Sequence, residues 1–199
     1  RRQRQMCIRD REAFVSRRAN PFSDDYARQA MRLIVPNLRA AYARPDDVAA
    51  REAMMRGALL AGLAFSNASV ALVHGMSRPL GAHFHVPHGL SNAMLLPAVT
   101  AYSLPGALPR YAEAARIMGV AGPEEGDQAA AARLVEALRA LNRDLAVPSP
   151  AAWGIEERRW NTLLPLMAEQ ALASGSPGNN PRVPGKEEII GLYREVYGG

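Results

Sequence analysis

Between Leu59 and Val73 the chain runs without a single charge, and this stretch constrains its fold more than any other feature. Extended back to Val48, the segment is rich in Ala, Leu and Met, with charges only at Arg51, Glu52 and Arg56. These residue types favour helix, and a helix that is apolar on nearly all sides has to be covered by other elements. The stretch from Val48 to about Val73 is therefore expected to be the central, buried helix. Gly57 and Gly62 each cost about 1 kcal/mol relative to Ala inside a helix, so close helix packing is expected at both. Ser66, Asn67 and Ser69 interrupt the apolar surface, either bonding local backbone or lining a pocket.

The other breakers fall between segments of helical length. Ser23 or Asp24 is placed to cap a helix whose stripe is Ala27, Ala30, Met31, Ile34, Leu38 and Ala41, kinked at Pro36. Arg44-Pro45-Asp46-Asp47 ends it. Gly89 to Tyr102 reads as a second buried helix with a kink at Pro97. Pro109 to Met118 reads as a short amphipathic one that Gly119 closes. Further helices are expected over Ala129–Leu145, Glu156–Ala173 and Lys186–Tyr197, separated by the stiff Val147-Pro148-Ser149-Pro150 connection and a loop from Ser174 to Pro181. No alternating strand pattern occurs. The expected class is all-α, with seven or eight helices.

At 199 residues and 48% hydrophobic, the chain can bury one sizeable core. Its formal charge of +5 does not mark a nucleic-acid binder. Residues 1–11 carry +4 of it, which leaves the remainder nearly neutral. These eleven residues differ in composition from the rest of the chain and are read as an appended, foreign-looking segment ahead of a domain over 12–199. The start at Arg1 is read as that of a fragment. The lone Cys7 excludes an internal disulfide and suits a reducing compartment, with the cytoplasm as default. No apolar run approaches the ~20 residues of a membrane span, and the N-terminus has no signal-peptide h-region.

All four histidines lie in one stretch, from His74 through His83 and His85 to His88. On one unbroken helix the outer two would be about 21 Å apart. Pro79, Gly81 and Pro87 lie between them and permit a chain reversal that would bring both rings to one ion. In this picture His74 closes the apolar helix and His88 opens the next, with Pro87 at a first helical position. Imidazole is a common transition-metal ligand, yet histidines at helix ends are also ordinary caps. His83 and His85, alternating around Phe84, are open to roles as ligands, pocket residues or solvated loop residues. No dinucleotide or P-loop glycine motif, nucleophile elbow, H-E-x-x-H or paired C-x-x-C is present. Any chemistry rests on the histidine cluster, with other parts supplied from elsewhere.

The segments from Gly62 to Met76 and from Leu80 to Gly89 resemble the C-terminal helical domain of the iron-containing alcohol dehydrogenase family, whose fold is dehydroquinate-synthase-like. The resemblance extends to 16–24, 110–119 and Asn179–Arg182, and so covers the chain from about Glu12 onward. It implies that His74 and His88 are two ligands of Fe2+ (or Zn2+). It also implies a parent enzyme that interconverts an alcohol and an aldehyde or ketone with NAD or NADP. Its other two ligands, an Asp and a His in a D-x-x-x-H pattern, would fall at Gln5 and Arg9, neither a good ligand. The family's frequent second histidine four residues after the first ligand is Arg78 here. That residue suits an anionic substrate or cofactor phosphate, or else a helix C-terminus.

Phe65, Asn67, Arg78 and His83 are the candidates for the substrate pocket. The resemblance further implies an α/β nucleotide-binding domain, absent from this sequence, and a fragment that is inactive alone. A maleylacetate-reductase-like relative and a non-catalytic helical module with structural histidines stand as alternatives. A homo-oligomer is left open.

Overall fold

The computed structural model describes residues 6–198, with side chains from residue 10 onward. Nine α-helices are found among them: α1 (Met6–Val15), α2 (Pro21–Ala43), α3 (Val48–Ala68), α4 (Leu72–Phe84), α5 (His88–Ser103), α6 (Leu108–Ile117), α7 (Asp127–Asp144), α8 (Glu157–Ala173) and α9 (Lys186–Gly198). The all-helical expectation holds, and α1 and α4 are additional to the helices read from the sequence. The boundary drawn between residues 11 and 12 lies inside α1.

α2 and α3 form a hairpin across the Arg44–Asp47 turn. The N-cap of α2 is Asn20, not Ser23 or Asp24. Its side chain accepts from Ser23 N at 3.0 Å, while Ser23 Oγ accepts from Asn20 N at 3.0 Å, a reciprocal capping box. The expected stripe of α2 is buried, and α3 meets it through small residues: Ala50, Gly57, Ala61, Ala64 and Ala68. At Gly57 a Cβ would come within 2.5 Å of Ile34, so glycine sets the helix separation there. At Gly62 a Cβ would meet nothing within 4 Å, and the packing role expected of it is not found.

α3 is not the buried central helix. It ends at Ala68, and its larger side chains face outward, with Val48 75%, Met55 71% and Leu59 66% exposed. The buried axis is α5, in which every residue from Gly89 to Thr100 is covered. α3 carries Arg51, Glu52 and Arg56, whereas α5 holds no Asp, Glu, Lys or Arg, and it is the uncharged helix that the others surround. Pro97 lies within α5 and cannot donate to Ala93 O. Asn142 of α7 fills the gap, donating its Nδ2–H to that carbonyl at 2.8 Å. Asn142→Ala would orphan a buried acceptor, and the expected loss is about 1–2 kcal/mol, measurable as a lower urea midpoint at constant slope.

The chain turns between α3 and α4 by 105° at Ser69–Ala71, where Ser69 adopts φ 63°. Ser16 Oγ donates to Ala68 O at 2.6 Å, and Asn179 Nδ2 donates to Ser69 Oγ and Val70 O, both at 3.1 Å. This break overturns two expectations. His74 does not close the long helix but lies in the first turn of α4. That helix then continues through Pro79 and Gly81 to Phe84, so the reversal is confined to His85–Pro87, with His85 left-handed at φ 54°.

Candidate active site

The first turn of any helix leaves N–H groups without intrahelical partners, and the N-cap of α4, Ala71, has no side-chain acceptor. Glu12 of α1 supplies it from a distance. Its Oε1 accepts from the backbone N–H of Ala71 at 3.2 Å, Val73 at 2.8 Å and His74 at 3.4 Å. Its Oε2 accepts from Nδ1 of the His74 ring. One carboxylate thus caps a helix, where the macrodipole also favours it, and orients the imidazole that the helix carries.

With Nδ1 as donor to Glu12, Nε2 of His74 is left as an acceptor. It faces Nδ2 of Asn92 at 3.4 Å, and the same amide lies 3.2 Å from Nε2 of His88. Ser77 Oγ is 3.4 Å from Nδ1 of His88. The two imidazoles stand 5.1 Å apart between centroids at 65°. Two rings fourteen positions apart therefore turn their Nε2 atoms to one point, the Asn92 amide. Asn92 is fully buried, and its Oδ1 has no partner among the described residues.

The other candidates lie elsewhere. His83 bonds Gln170 Oε1 of α8 at 2.8 Å and lines a cleft of about 480 Å³ with Glu156, Arg158 and Arg159. His85 is exposed at the end of α4. Asn67 turns its Nδ2 back to Leu63 O at 2.8 Å, the local-backbone alternative. Phe65 is half-buried against the main core, and Arg78 is exposed one turn beyond His74. Gln5 and the side chain of Arg9 lie outside the described residues. Among those described, no third His, Cys, Asp or Glu joins the pair.

Glu12, Ser77 and Asn92 were not anticipated in these roles. Asn92 lies four residues after His88, and Ser77 three after His74, spacings that put each on its histidine's side of the helix. Nothing local marks Glu12, which acts across sixty-two positions.

Just ahead of Glu12, α1 buries a misfit. Asp10 is fully buried and Arg11 is 5% exposed, yet Asp10 Oδ2 and all three guanidinium nitrogens of Arg11 have no hydrogen-bond partner among the described residues. The two side chains approach to 4.0 Å, between Arg11 Nε and Asp10 Oδ1. Burial pushes the Asp10 carboxyl up to about 6 against the opposing pull of Arg11.

The described residues thus form an all-helical domain in which two imidazoles converge and a carboxylate stands behind one of them. Residues 9–197 match the model for the Fe-containing alcohol dehydrogenase family, C-terminal, and the chain belongs to that family. It is 39% identical over 189 residues to a 1,3-propanediol dehydrogenase of Klebsiella pneumoniae, covering 94% of this chain and 47% of that one. To an NAD-dependent methanol dehydrogenase of Bacillus methanolicus it is 35% identical over 186 residues, covering 93% and 48%. A solved 1,3-propanediol oxidoreductase superposes with a TM-score of 0.92 at 36% identity, over 98% of this chain and 50% of that one. A maleylacetate reductase of Agrobacterium tumefaciens gives 0.80 at 27% identity, over 98% and 51%. The chain spans about half the length of these relatives.

Proposed function

We propose that this chain is the metal-binding half of an NAD(P)-linked alcohol dehydrogenase that interconverts an alcohol and an aldehyde or ketone, with His74 and His88 as two of the ligands to Fe2+. The observation that carries this reading is the convergence of both Nε2 atoms on one point. Histidines that serve only as structural caps have no need to be aimed together, which disfavours the non-catalytic module. A bound divalent ion would polarise the alcohol or carbonyl oxygen, so that hydride passes to or from the nicotinamide.

The remaining roles belong to this chain's own side chains. Glu12 holds His74 in the tautomer whose Nε2 is an acceptor, the arrangement that carboxylates impose on metal-binding histidines. Ser77 and Asn92 orient His88. Phe65 forms an apolar wall of the pocket in this reading.

Two imidazoles hold a divalent ion weakly, because a stable site has three or four protein donors. The 199-residue chain is therefore expected to retain little metal. Installing the family's missing pair as Gln5→Asp with Arg9→His should tighten Zn2+ or Fe2+ binding on the order of a hundredfold. His74→Ala or His88→Ala should abolish that gain in calorimetric titration. Tight stoichiometric metal in the unaltered chain, or a repaired chain indifferent to both alanine substitutions, would refute the assignment.

A further inference from the structure

One turn along α4 from His74 stands an exposed cation that has no ion-pair partner among the described residues. Arg78 follows His74 by four residues on α4, which places the two on one face of the helix with Cβ atoms about 5–6 Å apart. His74 is buried beneath, whereas Arg78 is exposed and makes no ion pair among the described residues. A sequence reason stands behind this. No Asp or Glu occurs between Glu52 and Glu113, so α4 and α5 hold no acid at all. The one carboxylate at the site, Glu12, is already engaged by three backbone N–H groups and by the His74 ring.

The alternative role, a cation stabilising a helix C-terminus, does not apply. α4 continues six residues past Arg78 to Phe84, the basic residue of its last turn is His83, and the dipole effect fades within that turn.

We propose that Arg78 is the residue that selects the substrate class at this site, favouring a short-chain alcohol or aldehyde that carries a carboxylate. The proposal rests on the alcohol dehydrogenase reading above. Arg78 follows His74 by about one helical turn, roughly 5 Å of rise and a span that a three-carbon hydroxy acid can bridge, and a guanidinium fork can take both oxygens of a carboxylate. A neutral alcohol gains nothing from that contact. A guanidinium offers five N–H donors and no acceptor, so it serves as an anchor and not as a proton relay.

A matched pair of ligands tests this on the 199-residue chain. 3-Hydroxypropionate differs from 1,3-propanediol in carrying a carboxylate where the diol has its second alcohol, and ADP stands in for the cofactor's phosphates. Each is titrated while the ring resonances of His74 and His88 and the side-chain Nε of Arg78 are followed by NMR. The hydroxy acid is expected to bind about fivefold more tightly than the diol, the upper range for one solvent-exposed ion pair. Arg78→Gln should bring that ratio to about one, and Arg78→Lys should keep part of it. Because Arg78 is exposed, neither change disturbs the core. Equal binding of acid and diol by the unaltered chain, or a preference that survives Arg78→Gln, overturns the proposal alone. An Arg78 response to ADP but not to the hydroxy acid also overturns it, assigning the arginine to the cofactor. If neither small ligand reaches His74 or His88, the proposal falls together with the alcohol-site reading.

Discussion

Glu12→Ala is expected to destabilise the protein by about 4 kcal/mol, since it strands three N–H groups at a helix start together with a buried imidazole. For a chain of this length that is roughly a 10 °C fall in melting temperature. The side chain is covered and its partners lie in the α3–α4 break, so water cannot replace it without opening α1. Glu12→Gln separates the two roles of the residue. The amide oxygen can still cap α4, but the amide nitrogen then faces Nδ1 of His74 and donates to it. The ring proton moves to Nε2, which removes the acceptor aimed at Asn92 and His88. The expected results are a smaller loss of stability, an exchanged tautomer in the imidazole 15N spectrum, and, in the Gln5→Asp, Arg9→His background, a 10–100-fold loss of metal affinity. A Glu12→Gln protein that keeps the Nδ1–H tautomer would show that Glu12 does not orient the ring.

The largest stabilisation should come from the other side of the same helix turn. Among the described residues the Arg11 guanidinium and Asp10 Oδ2 are buried without hydrogen-bond partners, and replacing such a pair by apolar side chains stabilises proteins by about 1–4 kcal/mol. Asp10→Ala with Arg11→Met is expected near the top of that range, because almost no hydrogen bond is lost with them. The pH dependence supplies the check. The folded-state value of Asp10, about 6, lies above its ordinary 3.8. Its protonated form is therefore favoured by folding. That contribution is complete below pH 4 and is lost as pH rises through 6, the loss reaching about 3 kcal/mol by pH 7. The advantage of the double variant should accordingly be larger at pH 7 than at pH 4.5 in parallel urea titrations. A double variant no more stable than its parent at pH 7 would mean that this turn of α1 is not packed as described.

Much of the architecture is legible residue by residue. The Ala27-to-Ala41 stripe, the Arg44–Asp47 turn, the Gly119 cap and the start of α5 at His88 each come from periodicity or from backbone chemistry confined to a few neighbours. The pairing of His74 and His88 is legible too, as a family motif and as two ligand-type residues flanking a breaker-rich segment.

What the sequence could not decide was non-local. The run from Leu59 to Val73 reads as one helix because it is uncharged, rich in Ala and Leu, and free of proline. It breaks at Ser69 because Ser16, Asn179 and Glu12 supply partners that no local interaction would. α3 and α5 are both rich in apolar residues over most of their length, and the arrangement of their neighbours leaves the uncharged part of α3 half exposed while it encloses α5. Glu12 carries no signal of its function, since its partners lie some sixty positions away and its value depends on an orphaned helix start that forms only when α4 does. Local propensity determined where helices can exist. Tertiary structure decided where they end, which ones are covered, and which carboxylate stands behind the histidine, because an unpaired backbone group or an uncovered apolar face is resolved only by whatever the fold brings against it.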